Sequence, residues 1–259
     1  PQPVDDVDVL LVESTYGNRD HTAQSGLSDE IEGLLSETLN NGGKVIIPAF
    51  SVGRTQLLVY TLHQLVDAGR LPDFPIFVDS PLSVNATEVF RLHPECFNRD
   101  IYTFLREKEN PFGMDNLTYI RKASESIKLN TLEGPAIIIS SSGMCEAGRI
   151  RHHLKNNISD PNDLILFVGY CAYNTLGAVI RAGIDPVYIF GEPHEVKARV
   201  ASFDGFSGHA DRKELGRYVE SLTGDITNIY VVHGEEESSL TFAEQLRSLK
   251  PGADVVVPE

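Results

Sequence analysis

A repeated local pattern constrains this fold more than any other feature. A short β-branched apolar run is followed by a few small polar residues and then by a stretch of helical periodicity. The pattern occurs in GGKVIIPAFSVGRTQLLVYTLHQL (42–65), PIFVDSPLSVNATEVFRL (75–92), PAIIISSSGMCEAGRIRHHL (135–154) and DLILFVGYCAYNTLGAVI (163–180). An apolar run that does not alternate is the mark of a strand buried on both faces, and strands separated by helices pair in parallel. The expected class is therefore α/β, a mostly parallel sheet with helices on both faces. In such sheets ligands bind beyond the carboxyl ends of the strands. Those ends carry Ser51, Gly53 and Arg54, then Asp79 and Ser80, then Ser140, Ser141, Ser142 and Gly143, then Gly169. Turns and caps account for any one such loop. Arg54 departs from that explanation, because an arginine at a helix start opposes the helix dipole and points to an anionic partner.

The two ends of the chain read differently. VDVLLV (7–12), ending in Glu13, has the pattern of a strand buried on both faces. A helix is expected around residues 28–39. NIYVVHGEEESSLTFAEQL (228–246) gives a strand to Val232, His233 at its end, and a helix bearing Phe242, Leu246 and Leu249. In FDGFSGHADRKEL (203–215), Asp211 and Glu214 form a capping-box spacing, which starts a helix at Asp211 and leaves His209 in the turn entering it. Of the eight histidines, His63, His93, His152 and His153 read as packing or solvated residues, and His21 and His194 as loop residues with no partner pattern. His209 and His233 stand apart, each at an element boundary beside glycine, where a side chain can face a cleft. Their spacing alone is not a zinc signature. The basic cluster from Arg149 to Lys155 is first a charged helix face and only second a phosphate contact.

Composition narrows the partners. With 259 residues and 41% hydrophobic content the chain can bury a sizeable core. A net charge of −15 counts against a broad nucleic-acid surface, so any such site must be a local groove. Three cysteines without a C-x-x-C pair argue against a disulfide framework and a cysteine zinc site, which fits a reducing cytoplasm. No apolar run reaches the roughly 18 residues of a membrane span, and PQPVDD shows no secretory signal.

Six motifs in order, ESTYG, GGKVIIPAFSVGRTQ, VDSPLS, SSSGMCEAGR, FSGHAD and VVHGE, give the chain a family likeness. It resembles the β-CASP nucleases of the metallo-β-lactamase superfamily, the group that includes the nuclease subunit of pre-mRNA cleavage and polyadenylation and its bacterial and archaeal RNA-processing relatives. The resemblance implies a Rossmann-like β-CASP cap inserted into a two-zinc αββα hydrolase domain. It implies that Glu13 matches the motif A acid, His209 the motif B histidine and His233 the zinc-ligating motif C histidine of the RNA-cleaving branch. The implied reaction is hydrolysis of an RNA phosphodiester to a 5′-phosphate and a 3′-hydroxyl. On that reading His209 would protonate the leaving oxygen and Glu13 would orient the imidazole; the strand-end reading, apart from the resemblance, makes Arg54 and the 140–143 loop the expected substrate contacts.

The family's H-x-H-x-D-H motif, a third-motif histidine and a fourth-motif aspartate all precede ESTYG, and nothing before Val7 holds them. The expectation is thus a chain lacking the N-terminal metal-binding half, inactive by itself and unable to retain two zincs. Its expected parts are a metallo-β-lactamase strand segment (1–17), the β-CASP domain (18–207) and a C-terminal metallo-β-lactamase segment (208–259). Expected partners are RNA and the N-terminal half, with a homodimer to be tested. The competing expectations are a non-catalytic RNA-binding or scaffold subunit, and a different hydrolase or a nucleotide-binding protein using the same strand-end cleft. Retention of Glu13, His209 and His233 together weighs against the first of these.

Overall fold

The computed structural model describes residues 2–21, 27–108, 110–203 and 205–258. Along the chain run β1 (Val9–Glu13), α1 (Leu27–Asn40), β2 (Lys44–Pro48), α2 (Arg54–Asp67), β3 (Ile76–Asp79) and α3 (Pro81–Leu92). A single 3-10 turn (Pro94–Cys96) leads to α4 (Arg99–Lys108), β4 (Leu117–Ile120), α5 (Ala123–Leu129), β5 (Ala136–Ser140), α6 (Ile150–Asn157), β6 (Leu164–Phe167) and α7 (Leu176–Arg181). The remainder is β7 (Val187–Ile189), β8 (Glu192–His194), β9 (Arg199–Ser202), α8 (Arg212–Ser221), β10 (Asn228–Val232), α9 (Glu236–Leu249) and β11 (Asp254–Val256). Contacts divide the chain into two compact units, Pro1–Thr22 with Ser207–Glu259, and Ala23–Phe206.

The larger unit is built on a six-stranded sheet of order β4-β3-β5-β2-β6-β9 in which every pairing is parallel. Successive side chains of a strand point to opposite faces, and here both faces are covered. Val45, Ile47, Ile137, Ile139, Leu164 and Leu166 pack with Leu35 and Leu39 of α1 and Leu58 and Leu62 of α2. The alternate residues Ile46, Ile138, Ile165 and Phe167 pack with Ile150 and Leu154 of α6 and Ile180 of α7. This is why the runs are continuously apolar: each such side chain contributes about 1.5–3 kcal/mol on burial.

The register fixes where the loops emerge. Ser140 pairs with Pro48 on one side and Asp79 on the other, so β2, β3 and β5 end level with one another. Gly53, with φ 78°, turns the chain from β2 into α2 through the left-handed region that glycine enters without a Cβ penalty. Its N–H donates to Gln56 Oε1 at 2.7 Å. Ser80 caps α3 by accepting the Ser83 N–H at 3.2 Å, and Pro81 fills the first helical position.

The smaller unit has a three-stranded parallel sheet of order β1-β10-β11. Leu10, Val12, Ile229, Val231 and Val255 pack with Leu215 and Val219 of α8 and with Phe242 and Leu246 of α9. The expectation of a strand buried on both faces is corrected for VDVLLV. The segment is a strand, but at the edge of its sheet, and Val9 and Leu11 on the face away from α8 and α9 are 50% and 68% exposed. Helix α8 begins behind Asp211 as the capping box requires: Asp211 Oδ1 accepts from Glu214 N at 2.7 Å and Glu214 Oε2 from Asp211 N at 3.1 Å. No helix among the described residues is long and apolar enough to cross a membrane. Cys96 is an exposed free thiol, and Cys145 and Cys171 are buried ones.

Candidate catalytic site

Parallel pairing of β1 with β10 sets Glu13 opposite Val232, so His233 emerges one residue beyond, beside the ESTYG segment. Glycine permits this closure: a Cβ on Gly234 would stand 2.6 Å from Ser14 O. His233 itself has φ 56°, a left-handed conformation that costs a non-glycine residue on the order of 1–2 kcal/mol and recurs where geometry serves function. The turn ahead of α8 brings His209 to the same place. Its loop is fixed by His21, whose N–H donates to Asp211 Oδ2 at 3.0 Å and whose Nε2–H donates to the His209 carbonyl at 2.9 Å. The His21 ring also meets Tyr16 edge-on, with centroids 4.7 Å apart. Burial alone would push the Asp211 carboxyl up, but the N–H groups of Glu214 and His21 outweigh it and hold it below the usual carboxylate range.

These elements bring Glu13, His209 and His233 together. Glu13 Oε2 accepts from His209 Nδ1 at 2.7 Å. The His209 and His233 rings stack with centroids 5.3 Å apart and planes 28° from parallel. Since a carboxylate only accepts, His209 carries its proton on Nδ1 and leaves Nε2 as the ring nitrogen for other chemistry. Thr15, buried at the end of β1, donates to Glu13 Oε2 at 2.7 Å and lies 3.1 Å from His233 Nδ1.

Glu13, His209 and His233 each offer a donor atom within 4.8 Å of the others. As a zinc site they fit in part. The 2.7 Å bond commits Glu13 to His209, so an ion taking both would have to break it. His233, exposed and engaged among the described residues through Nδ1, fits as one ligand through Nε2. Two zincs need several more donors than the described residues bring together here.

The other candidates lie in the larger unit. Arg54 opens α2, and its guanidinium lies against Gly169 at the end of β6, 3.8 Å from where a Cβ would stand. Ser140 is buried and its hydroxyl donates to Asp79 O at 2.8 Å, so that hydroxyl is held inside the fold. Ser141 donates to Ser80 Oγ at 2.8 Å. Gly143 is packed under Phe50, whose ring would be 3.1 Å from an added Cβ. Ser141 and Ser142, with Phe50, Val52, Leu82 and Ala147, line a groove of about 560 Å³.

Sequence reasoning missed three features. Thr15 sat unremarked within ESTYG, and His21 appeared to lack partners. The third is the interior beneath the strand ends, where Asp79 accepts from Ser126 Oγ at 2.6 Å, Arg149 Nη1 at 2.7 Å and His153 Nε2 at 2.7 Å. Much of the basic cluster is thereby committed: Arg149 to Asp79 and to the Arg121 carbonyl at 2.8 Å, Lys155 to Glu192 at 2.5 Å, and Arg151 over the Phe190 ring at 4.4 Å. Only the presence of Asp79 at a strand end hinted at this.

Two family models cover most of the chain. The Beta-Casp domain matches residues 55–180, and the Zn-dependent metallo-hydrolase RNA specificity domain matches residues 193–258. Ribonuclease TTHA0252 of Thermus thermophilus is 37% identical over 239 residues, 92% of this chain and 54% of that protein. The chain belongs to the β-CASP family of the metallo-β-lactamase superfamily. Two further relatives are similar over nearly the whole chain: an RNase J-like protein of Methanocaldococcus jannaschii is 35% identical over 93% of this chain and 55% of its own length. Transcription termination factor FttA of the same organism is 33% identical over 94% of this chain and 39% of its own length. The β-CASP chain described here thus spans about half the length, or less, of these relatives.

Proposed function

We propose that this chain carries the proton-handling residues and the RNA-facing cap of a zinc-dependent ribonuclease acting in RNA processing or decay. The observation that carries the reading is the 2.7 Å bond from His209 Nδ1 to Glu13, with His233 stacked alongside. In hydrolysis of a phosphodiester, water adds to phosphorus, the P–O3′ bond breaks, and the departing 3′ oxygen needs a proton. His209, held through Nδ1, delivers that proton from Nε2, and Glu13 offsets the charge of the imidazolium that precedes the transfer. Zinc, when bound, supplies Lewis-acid stabilisation of the charge building on the phosphate. Of the residues here His233 is its proposed ligand, and the other ligands are proposed to come from an N-terminal metallo-β-lactamase half.

On the cap, Arg54 supplies a guanidinium for a backbone phosphate, the Ser142 hydroxyl and the Gly143 amide supply hydrogen-bond donors, and Ser141, whose hydroxyl donates to Ser80, lines the groove and offers its lone pairs. Ser140 serves by holding its loop to β3. The partly apolar groove beside them, with Phe50, Val52 and Leu82 on its walls, suits an unpaired nucleotide better than a duplex. The names of the relatives, ribonuclease and termination factor, support RNA as the substrate class. The test is the chemistry of the cut ends. Cleavage of a single-stranded RNA by this chain joined to an N-terminal half should leave a 5′-phosphate and a 3′-hydroxyl and should stop with a zinc chelator. A 2′,3′-cyclic phosphate product would overturn the reading.

A further inference from the structure

The Thr15 hydroxyl meets four polar atoms: Glu13 Oε2 at 2.7 Å, His233 O at 2.9 Å, His233 Nδ1 at 3.1 Å and His209 Nδ1 at 3.4 Å. It has one proton and two lone pairs to satisfy them. Glu13 Oε2 and the His233 carbonyl can only accept, and the carboxylate is the nearer and stronger acceptor. The hydroxyl proton therefore goes to Glu13 or, in its place, to the carbonyl, and in neither case to His233 Nδ1. Two lone pairs facing each other at 3.1 Å repel, so His233 Nδ1 bears a proton and donates it to Thr15 Oγ1. Glu13 Oε2 also takes the His209 Nδ1–H at 2.7 Å.

We infer that Thr15 is a positioning residue that extends the acceptor strength of Glu13 to His233, so that one carboxylate sets the tautomer of both imidazoles. Both rings then hold Nδ1–H inward and leave Nε2 on the side away from Thr15. The histidine side chain free in water favours the opposite tautomer, with the proton on Nε2, so the site must impose this one. Burial sharpens the effect. Thr15 is only 8% exposed, so little solvent competes for its lone pairs. The use of His233 Nε2 as a ligand and of His209 Nε2 as a proton donor rests on the ribonuclease reading above; the tautomers themselves do not.

The test is a long-range ¹H–¹⁵N spectrum of the histidine ring nitrogens, recorded on the metal-free chain in alkaline buffer. Wild-type His209 and His233 should both give the Nδ1–H pattern. Thr15→Val keeps the branched shape and removes the hydroxyl. It should move the His233 tautomer ratio roughly 5- to 10-fold toward Nε2–H, the worth of one net hydrogen bond, while His209 stays on Glu13. Thr15→Ser should restore the wild-type ratio, which a purely packing role for the threonine would not do. A wild-type His233 protonated on Nε2, or a His233 ratio untouched by Thr15→Val, would overturn the inference. If Thr15→Val unfolds the chain by circular dichroism, the wild-type spectrum still decides the sign. A failure to find RNA cleavage leaves these spectra unchanged, so the two ideas fail separately.

Discussion

Asp79 and His153, 74 positions apart, meet through a 2.7 Å hydrogen bond in the interior of the larger unit. The carboxylate is fully buried and also accepts from Ser126 and Arg149, so β3, α5 and α6 are pinned at one point beneath the strand ends. Burial by itself would push this carboxyl up, but His153, Ser126 and Arg149 together outweigh it and hold it below its ordinary value. A carboxylate with a depressed folded value contributes stability that is fully present above its unfolded value, near pH 3.9, and lost as pH falls through the folded value. Asp79→Asn should therefore cost about 3–5 kcal/mol at neutral pH, the range for breaking a buried charged network. It should also flatten the loss of stability in the acid range. Urea melts at neutral and acid pH measure both; a variant as stable as wild type at neutral pH contradicts the account.

The two sheets predict opposite responses to truncation. Ile138 at the centre of β5 is fully buried, and Ile138→Ala should cost about 2–5 kcal/mol. Leu11 on the open face of β1 is 68% exposed, and Leu11→Ser should change the stability of this chain by no more than about 0.5 kcal/mol. Chemical denaturation of the two variants checks the contrast.

What was legible in the sequence follows from which contacts are local. The strand-helix units showed because a fully buried strand needs a continuous run such as Val45 to Ile47, and the start of α8 showed because Asp211 and Glu214 are three residues apart. The one-sided burial of β1 did not, since a short apolar run reads the same whether one or both of its faces are covered. His21 against His209, Asp79 against His153 and Thr15 against His233 join residues 188, 74 and 218 positions apart. No periodicity encodes such pairs. The motif resemblance reached Glu13, His209 and His233, but not the threonine among them.

Arg54 is expected to act on phosphate. Arg54→Ala should weaken RNA binding uniformly across sequences and lower the salt dependence by about one phosphate contact. Binding isotherms over a salt series test this, and an unchanged slope and affinity would remove Arg54 from the RNA surface.

Zinc retention should be poor in this chain alone, because His233 is the single ligand proposed here, beside a committed Glu13–His209 pair, and zinc takes about four donors. Elemental analysis after dialysis should find well under one zinc per chain. Two tightly held zincs would show that the described residues form a complete centre.

The central claim, that His209 held by Glu13 is the proton donor, is tested most directly by His209→Ala in a protein that joins this chain to an N-terminal metallo-β-lactamase half, as the proposed function requires. The single-turnover rate of RNA cleavage should be measured at saturating enzyme, with zinc content determined on the same preparation. The account predicts a fall of roughly 10² to 10⁴ in rate, the range for a lost general acid, with zinc unchanged. A rate near that of the wild type at equal zinc would contradict it.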